Sequence, residues 1–145
     1  MEIGRSIYEL ENVQIGSLFE LENVDISLYQ TCRGYASYSQ IKSIFDFAMD
    51  ENANEDDRDW ALYDGLWDLL IHQYTLYSVT PIALYILLKQ TTAEEREKVR
   101  EIRDFVDVCR TRGERNIFLF NEEIELNQKA ELPIFSIAEI LEKYA

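Results

Sequence analysis

One histidine, two cysteines, two prolines and five glycines are all that 145 residues supply of those types. Each shortage excludes something. A nucleophile–base–acid triad would have to find its base in His72. Zinc would have to be held by His72, Cys32 and Cys109, which are far apart in sequence and lack CxxC spacing. The two thiols therefore read as core or incidental thiols of a reduced, cytoplasmic chain, not as a disulfide. So few glycines and prolines allow few tight turns, which favours helices over a many-stranded sandwich. No apolar run reaches the ~18 uninterrupted residues of a membrane span, and Met1-Glu2-Ile3-Gly4-Arg5 does not read as the start of a signal peptide. A Gly-rich phosphate loop, HExxH and a nucleophile elbow are missing. The expectation is a chain without catalytic residues, metal or cofactor.

Positive charge is scarce too: 14 Lys and Arg face 28 Asp and Glu, for a net charge of −14. Nucleic acid would be repelled by such a surface, whereas a basic protein would be drawn to it. Hydrophobic residues make up 47% of the chain and aromatics 12%, enough to fold despite that charge. The length suits a single domain, 1–145.

The longest apolar-rich stretch is 59–89, interrupted once at Ser78-Val79-Thr80-Pro81. Ahead of the break, Asp64, Asp68 and His72 recur every four residues and predict one polar stripe on an otherwise apolar helix. Beyond it, Thr80 and Pro81 suit a helix start, and Ile82 to Leu88 are almost all apolar. The spacing predicts two antiparallel helices turning between about Gln73 and Thr80, with Trp60, Leu66, Trp67, Leu70, Leu84 and Leu87 buried.

Here the chain resembles the HEAT-like α-helical immunity proteins of bacterial toxin–immunity and contact-dependent growth inhibition systems. His72-Gln73 matches the helix end, Thr75 and Tyr77 the turn, and Thr80-Pro81 the restart, with Tyr74 at the family's Gly and Ile86 at its Pro. The resemblance implies an all-α fold of short antiparallel helix pairs, a small HEAT-like solenoid or bundle. It also implies a cytoplasmic protein that forms a heterodimer with a cognate toxin, and a structural His72 bonded to backbone or to a side chain such as Asp68.

Elsewhere, Ser6-Ile7-Tyr8-Glu9 returns eleven residues later as Ser17-Leu18-Phe19-Glu20, and Ser27-Leu28-Tyr29-Gln30 echoes it. The Ser-x-x-Glu spacing is a capping box, so these are short helical starts or one continuous helix, with Gly16 and the Asn-Val pairs favouring short segments. A helix is predicted over 39–49, and another from a Thr92 capping box to about Thr111. The latter buries Val99, Ile102, Phe105, Val106 and Cys109, turns Arg96, Arg100, Arg103 and Arg110 outward, and ends at Gly113. A last helix is capped by Ser136. Residues 116–120 suit a strand or a buried helical turn equally.

Between Asp46 and Asp68 the acids Asp46, Asp50, Glu51, Glu55, Asp56, Asp57, Asp59, Asp64 and Asp68 are opposed only by Arg58, with Trp60, Tyr63 and Trp67 among them. Asp50, Asn52 and Asn54 match the first ligands of a calcium loop, but Glu55 replaces its glycine and Ala61 its bidentate glutamate. The plain reading of the segment is a solvated loop. The functional one is a partner-binding surface of Asp50, Glu51, Glu55, Asp56, Asp57, Asp59, Trp60, Tyr63, Asp64 and Asp68, its carboxylates imitating the phosphates a nuclease expects. Two rivals remain: a helical adaptor that docks a peptide or partner helix, and a carboxylate- or metal-dependent enzyme.

Overall fold

Gly4 pairs with Phe120, and Leu76 with Ile117. Those pairings overturn the all-α expectation. In the computed structural model, which describes residues 3–145 apart from the side chains of Glu114 and Arg115, the chain is α/β and not a HEAT-like helical array. Its strands are β1 (Gly4–Ser6), β2 (Gln30–Thr31), β3 (Gly34–Tyr35), β4 (Ile71–His72), β5 (Thr75–Tyr77) and β6 (Ile117–Phe120). One sheet runs β1-β6-β5-β4, with β5 and β6 parallel and the outer pairings antiparallel; β2 and β3 form a separate hairpin. Period-two alternation divides the faces. Ile71, Leu76, Ile117 and Leu119, at most 1% exposed, face the core, while Tyr77, Phe118 and Phe120 stack on the other side, Phe118 and Phe120 edge to face at 5.2 Å.

The expected helical turn is a β-hairpin. Gln73 and Tyr74 have φ of 50° and 64°, the pair of positive values that a two-residue turn needs to match the twist of its strands. Tyr74 thus adopts a conformation that usually falls to glycine, with the Arg112 guanidinium 5.0 Å from its ring centre. Thr80 does not cap the next helix but lies in its first turn. Its Oγ1 accepts the Tyr77 N–H at 2.9 Å and donates to the Leu70 carbonyl at 2.6 Å, tying the two ends of the hairpin together.

The apolar halves do not pair with each other either. Helix α1 (Tyr38–Met49) is followed by α2 (Glu55–Asp59), which continues into a more widely wound helix, Trp60–Leu70, closed by an Ile71 N–H to Leu66 carbonyl bond. That wide helix packs chiefly on α1, and α3 (Thr80–Gln90) packs chiefly on α7 (Ile137–Tyr144). Close packing on α1 requires Gly65, because a Cβ there would lie 2.7 Å from Ile44 Cγ1. Leu66, Leu70, Leu84 and Leu87 are fully buried, whereas Trp60 and Trp67 are only half-buried.

The Thr92 capping box forms, but its helix breaks at an extended Val99 into α4 (Ala93–Glu97) and α5 (Arg100–Arg112). Val99, Ile102, Phe105, Val106 and Cys109 are buried as expected. Arg96 is buried too, against expectation, because its Nη1 donates to the carbonyl and hydroxyl oxygens of Thr91 at 2.9 and 3.0 Å. At the N-terminal end lie three separate 3₁₀ turns, Ile7–Glu9, Leu18–Asn23 and Ile26–Leu28; the second has the Ser17–Glu20 capping box, whereas the first is capped by Ser6 accepting the Tyr8 N–H and the third by Asp25. Buried Asn127, on α6 (Asn121–Gln128), exchanges two hydrogen bonds with the Gln14 backbone, each at 3.0 Å, and donates to the Leu132 carbonyl at 2.8 Å. It fastens the first turns to the last helices. No helix among the described residues is long and apolar enough to cross a membrane.

Candidate functional site: an acidic surface

The acidic segment begins where α1 stops. Asp50 folds the loop on itself, its Oδ1 accepting the Asn52 N–H at 2.9 Å, and Asn54 caps α2 by accepting the Asp56 N–H at 2.8 Å. Two of the three apparent calcium ligands therefore turn to their own backbone. Among the described residues no cluster of three or more His, Cys, Asp or Glu side chains is placed to hold a metal ion. Glu55, Asp56 and Asp57 fill the first turn of α2, where negative charge complements the helix dipole. That accounts for part of the charge and leaves most of it facing water.

Asp50, Glu51, Glu55, Asp56, Asp57, Asp59 and Asp64 are all exposed, and among the described residues none forms an ion pair. Tyr63, 55% exposed, stands beside Asp64 on the wide helix. Trp60 is half-buried against the core. Asp46, at the near end of α1, is neutralised by Lys42 at 2.9 Å.

Asp68 does not belong with that set. Arg33, in the β2–β3 turn, holds it from two nitrogens, Nε to Oδ2 at 2.7 Å and Nη2 to Oδ1 at 3.0 Å. The hydrogen bond from Arg33 pulls the Asp68 carboxyl below its ordinary pKa, burial opposing. His72 lies beside the same carboxylate, Nε2 3.9 Å from Oδ1, on a strand and not at a helix end. The two side chains are neighbours, but 3.9 Å is too long for a hydrogen bond, so the bond expected from His72 to Asp68 is not formed.

Sequence reading missed two features. One is a buried polar cluster: Ser78 accepts the Gln30 N–H at 3.0 Å and donates to Glu123, whose other oxygen takes the Phe120 N–H at 3.1 Å. Burial pushes the Glu123 carboxyl up to about 7. Ser78 has no exposed surface and Glu123 1%, so no substrate reaches the pair, and it lacks a histidine to pass the proton. The signal was present in part, since Glu123 is the third residue of a helix and reaches back to its cap. The other is Phe19, 85% exposed on the second 3₁₀ turn. Compared with known protein families, with curated proteins and with solved structures, the chain matches none.

Proposed function

We propose that this chain is an immunity protein: it binds a cognate bacterial toxin domain, a nuclease by preference, and neutralises it by covering its active site or substrate surface. The observation that carries the reading is the run of seven exposed carboxylates from Asp50 to Asp64 without an ionic partner among the described residues. Such a surface repels itself in the free protein and is relieved by a basic partner, whose approach it steers. Tyr63 adds an aromatic contact of the kind that anchors interfaces. The toxin as partner, and the cytoplasm as the place of action, come from the sequence resemblance around His72 and Thr80 alone, where the fold has a β-hairpin in place of the helical turn; the acidic surface supports a basic partner.

The test is protection. Cells producing the toxin domain encoded beside this chain should survive only when the chain is co-produced, and the purified pair should form a one-to-one complex. A neighbouring product that neither harms the cell nor binds the chain would remove the immunity reading.

A further inference from the structure

The eleven-residue repeat turns its aromatic residue outward: Tyr8 is 74% exposed and Phe19 85%. In the second copy the reason is geometric. A 3₁₀ turn eclipses every third residue, so Leu18 and Leu21 go inward together and Phe19 is left to solvent. The turn that carries it is fixed at its start. Glu20 accepts the Ser17 N–H at 2.8 Å, Gly16 donates to the Ile134 carbonyl at 2.9 Å, and a Cβ on Gly16 would lie 2.6 Å from the Phe135 ring.

Between Phe19 and Leu28, itself 44% exposed, lies a hollow of about 340 Å³ lined by Tyr29 and Phe135. Val24 lines it too, and also lines a second hollow of about 460 Å³ together with Tyr38 and Tyr85. The first hollow is bordered by Glu20, Asp25 and Glu131, with no Lys or Arg among its described lining residues; the second has Glu22 and Lys89.

We propose that this paired hollow docks a cationic amphipathic segment of a protein partner. One apolar side chain of that segment enters between Phe19 and Leu28, a second enters across Val24, and its Lys or Arg residues meet Glu20, Asp25 and Glu131. Charge selects this occupant. A second copy of the chain brings a net charge of −14 to an acidic rim, and an anionic membrane is repelled in the same way. The fixed turn keeps the ordering cost of binding low. The surface is separate from the acidic segment, because Tyr38 begins α1 and Asp50 follows its end, twelve residues of helix apart.

The probe is a peptide of about 14 residues in which leucine and lysine alternate at helical spacing, beside an equally charged lysine–glutamine peptide. Amide NMR titration should show the leucine peptide perturbing Phe19, Val24, Leu28 and Tyr38, with the glutamine peptide leaving them unmoved. Phe19→Ser with Leu28→Ser should weaken that binding about tenfold, and Glu131→Lys about threefold. Replacing Asp56, Asp57 and Asp59 by Asn should leave it unchanged, which separates this surface from the proposed toxin contact. All of these positions are exposed, and thermal melting checks the fold of each variant. Perturbation confined to 50–64, equal binding of both peptides at the hollow, or self-association through Phe19 would each overturn the proposal.

Discussion

Arg33 holds Asp68 by two hydrogen bonds across 35 residues of sequence, and in doing so removes one carboxylate from the acidic surface. Asp64, one turn earlier, is exposed and has no ion pair among the described residues. The two should therefore behave differently. Asp64→Asn should slow association with a basic partner, whereas Asp68→Asn should leave association nearly unchanged and lower thermal stability instead. The Asp68 carboxyl is depressed in the fold. Its contribution is present above the ordinary carboxylate pKa and is lost as pH falls through the folded value. The stability difference between wild type and Asp68→Asn should accordingly vanish in acid. Thermal melts from pH 7 down to pH 2 would measure it.

Glu123 predicts the opposite slope. Its pKa rises from 4.5 to about 7 because burial disfavours the charged form, and Glu122 adds to the shift. Tyr29 and Tyr35 also feel its charge. The folded state therefore binds a proton that the unfolded state has released, and stability falls as pH rises across that window by about 3 kcal/mol. Glu123→Gln lacks this loss. Denaturant titrations should find it close to wild type near pH 4.5 and more stable than wild type above pH 7. An equal difference at both ends would show that the carboxyl is not held in this way.

Gly65→Ala pushes a methyl group into Ile44. Overpacking of that kind costs about 1–3 kcal/mol, to be read as a lower denaturant midpoint with an unchanged slope. A neutral result would mean that α1 and the wide helix part easily.

The helices were legible because each carries a local signal. Ile41, Ile44, Phe45 and Ala48 repeat at helical spacing, and Ser136 and Thr92 announce their helix starts. The sheet was not. Its strands are two to four residues long, too short for alternation to show, and Gly4 meets Phe120 only through the folded chain. The β4–β5 turn lacks the Asn-Gly that normally marks such a hairpin, so Gln73 and Tyr74 read as part of a helical connection. Gln73→Asn should ease the positive φ there and raise stability by about 0.5–1 kcal/mol, as equilibrium denaturation would show. At the acidic surface, composition was enough to find the exposed carboxylates. It could not reveal that Arg33 occupies Asp68, that Trp60 is only half-buried, or that Arg96 is buried, since each depends on a contact the local pattern does not encode.

The central claim is that the exposed carboxylates of 50–64 meet a basic toxin. It is tested most directly by stopped-flow association with the cognate toxin domain, wild type against the chain with Asp56, Asp57 and Asp59 replaced by Asn, over a range of salt. The account predicts an on-rate for wild type that falls steeply with salt, a rate at low salt about tenfold lower for the triple variant, and convergence of the two at high salt. If the triple variant is folded, associates as fast as wild type at low salt and protects cells fully, the acidic surface is only a solvated loop.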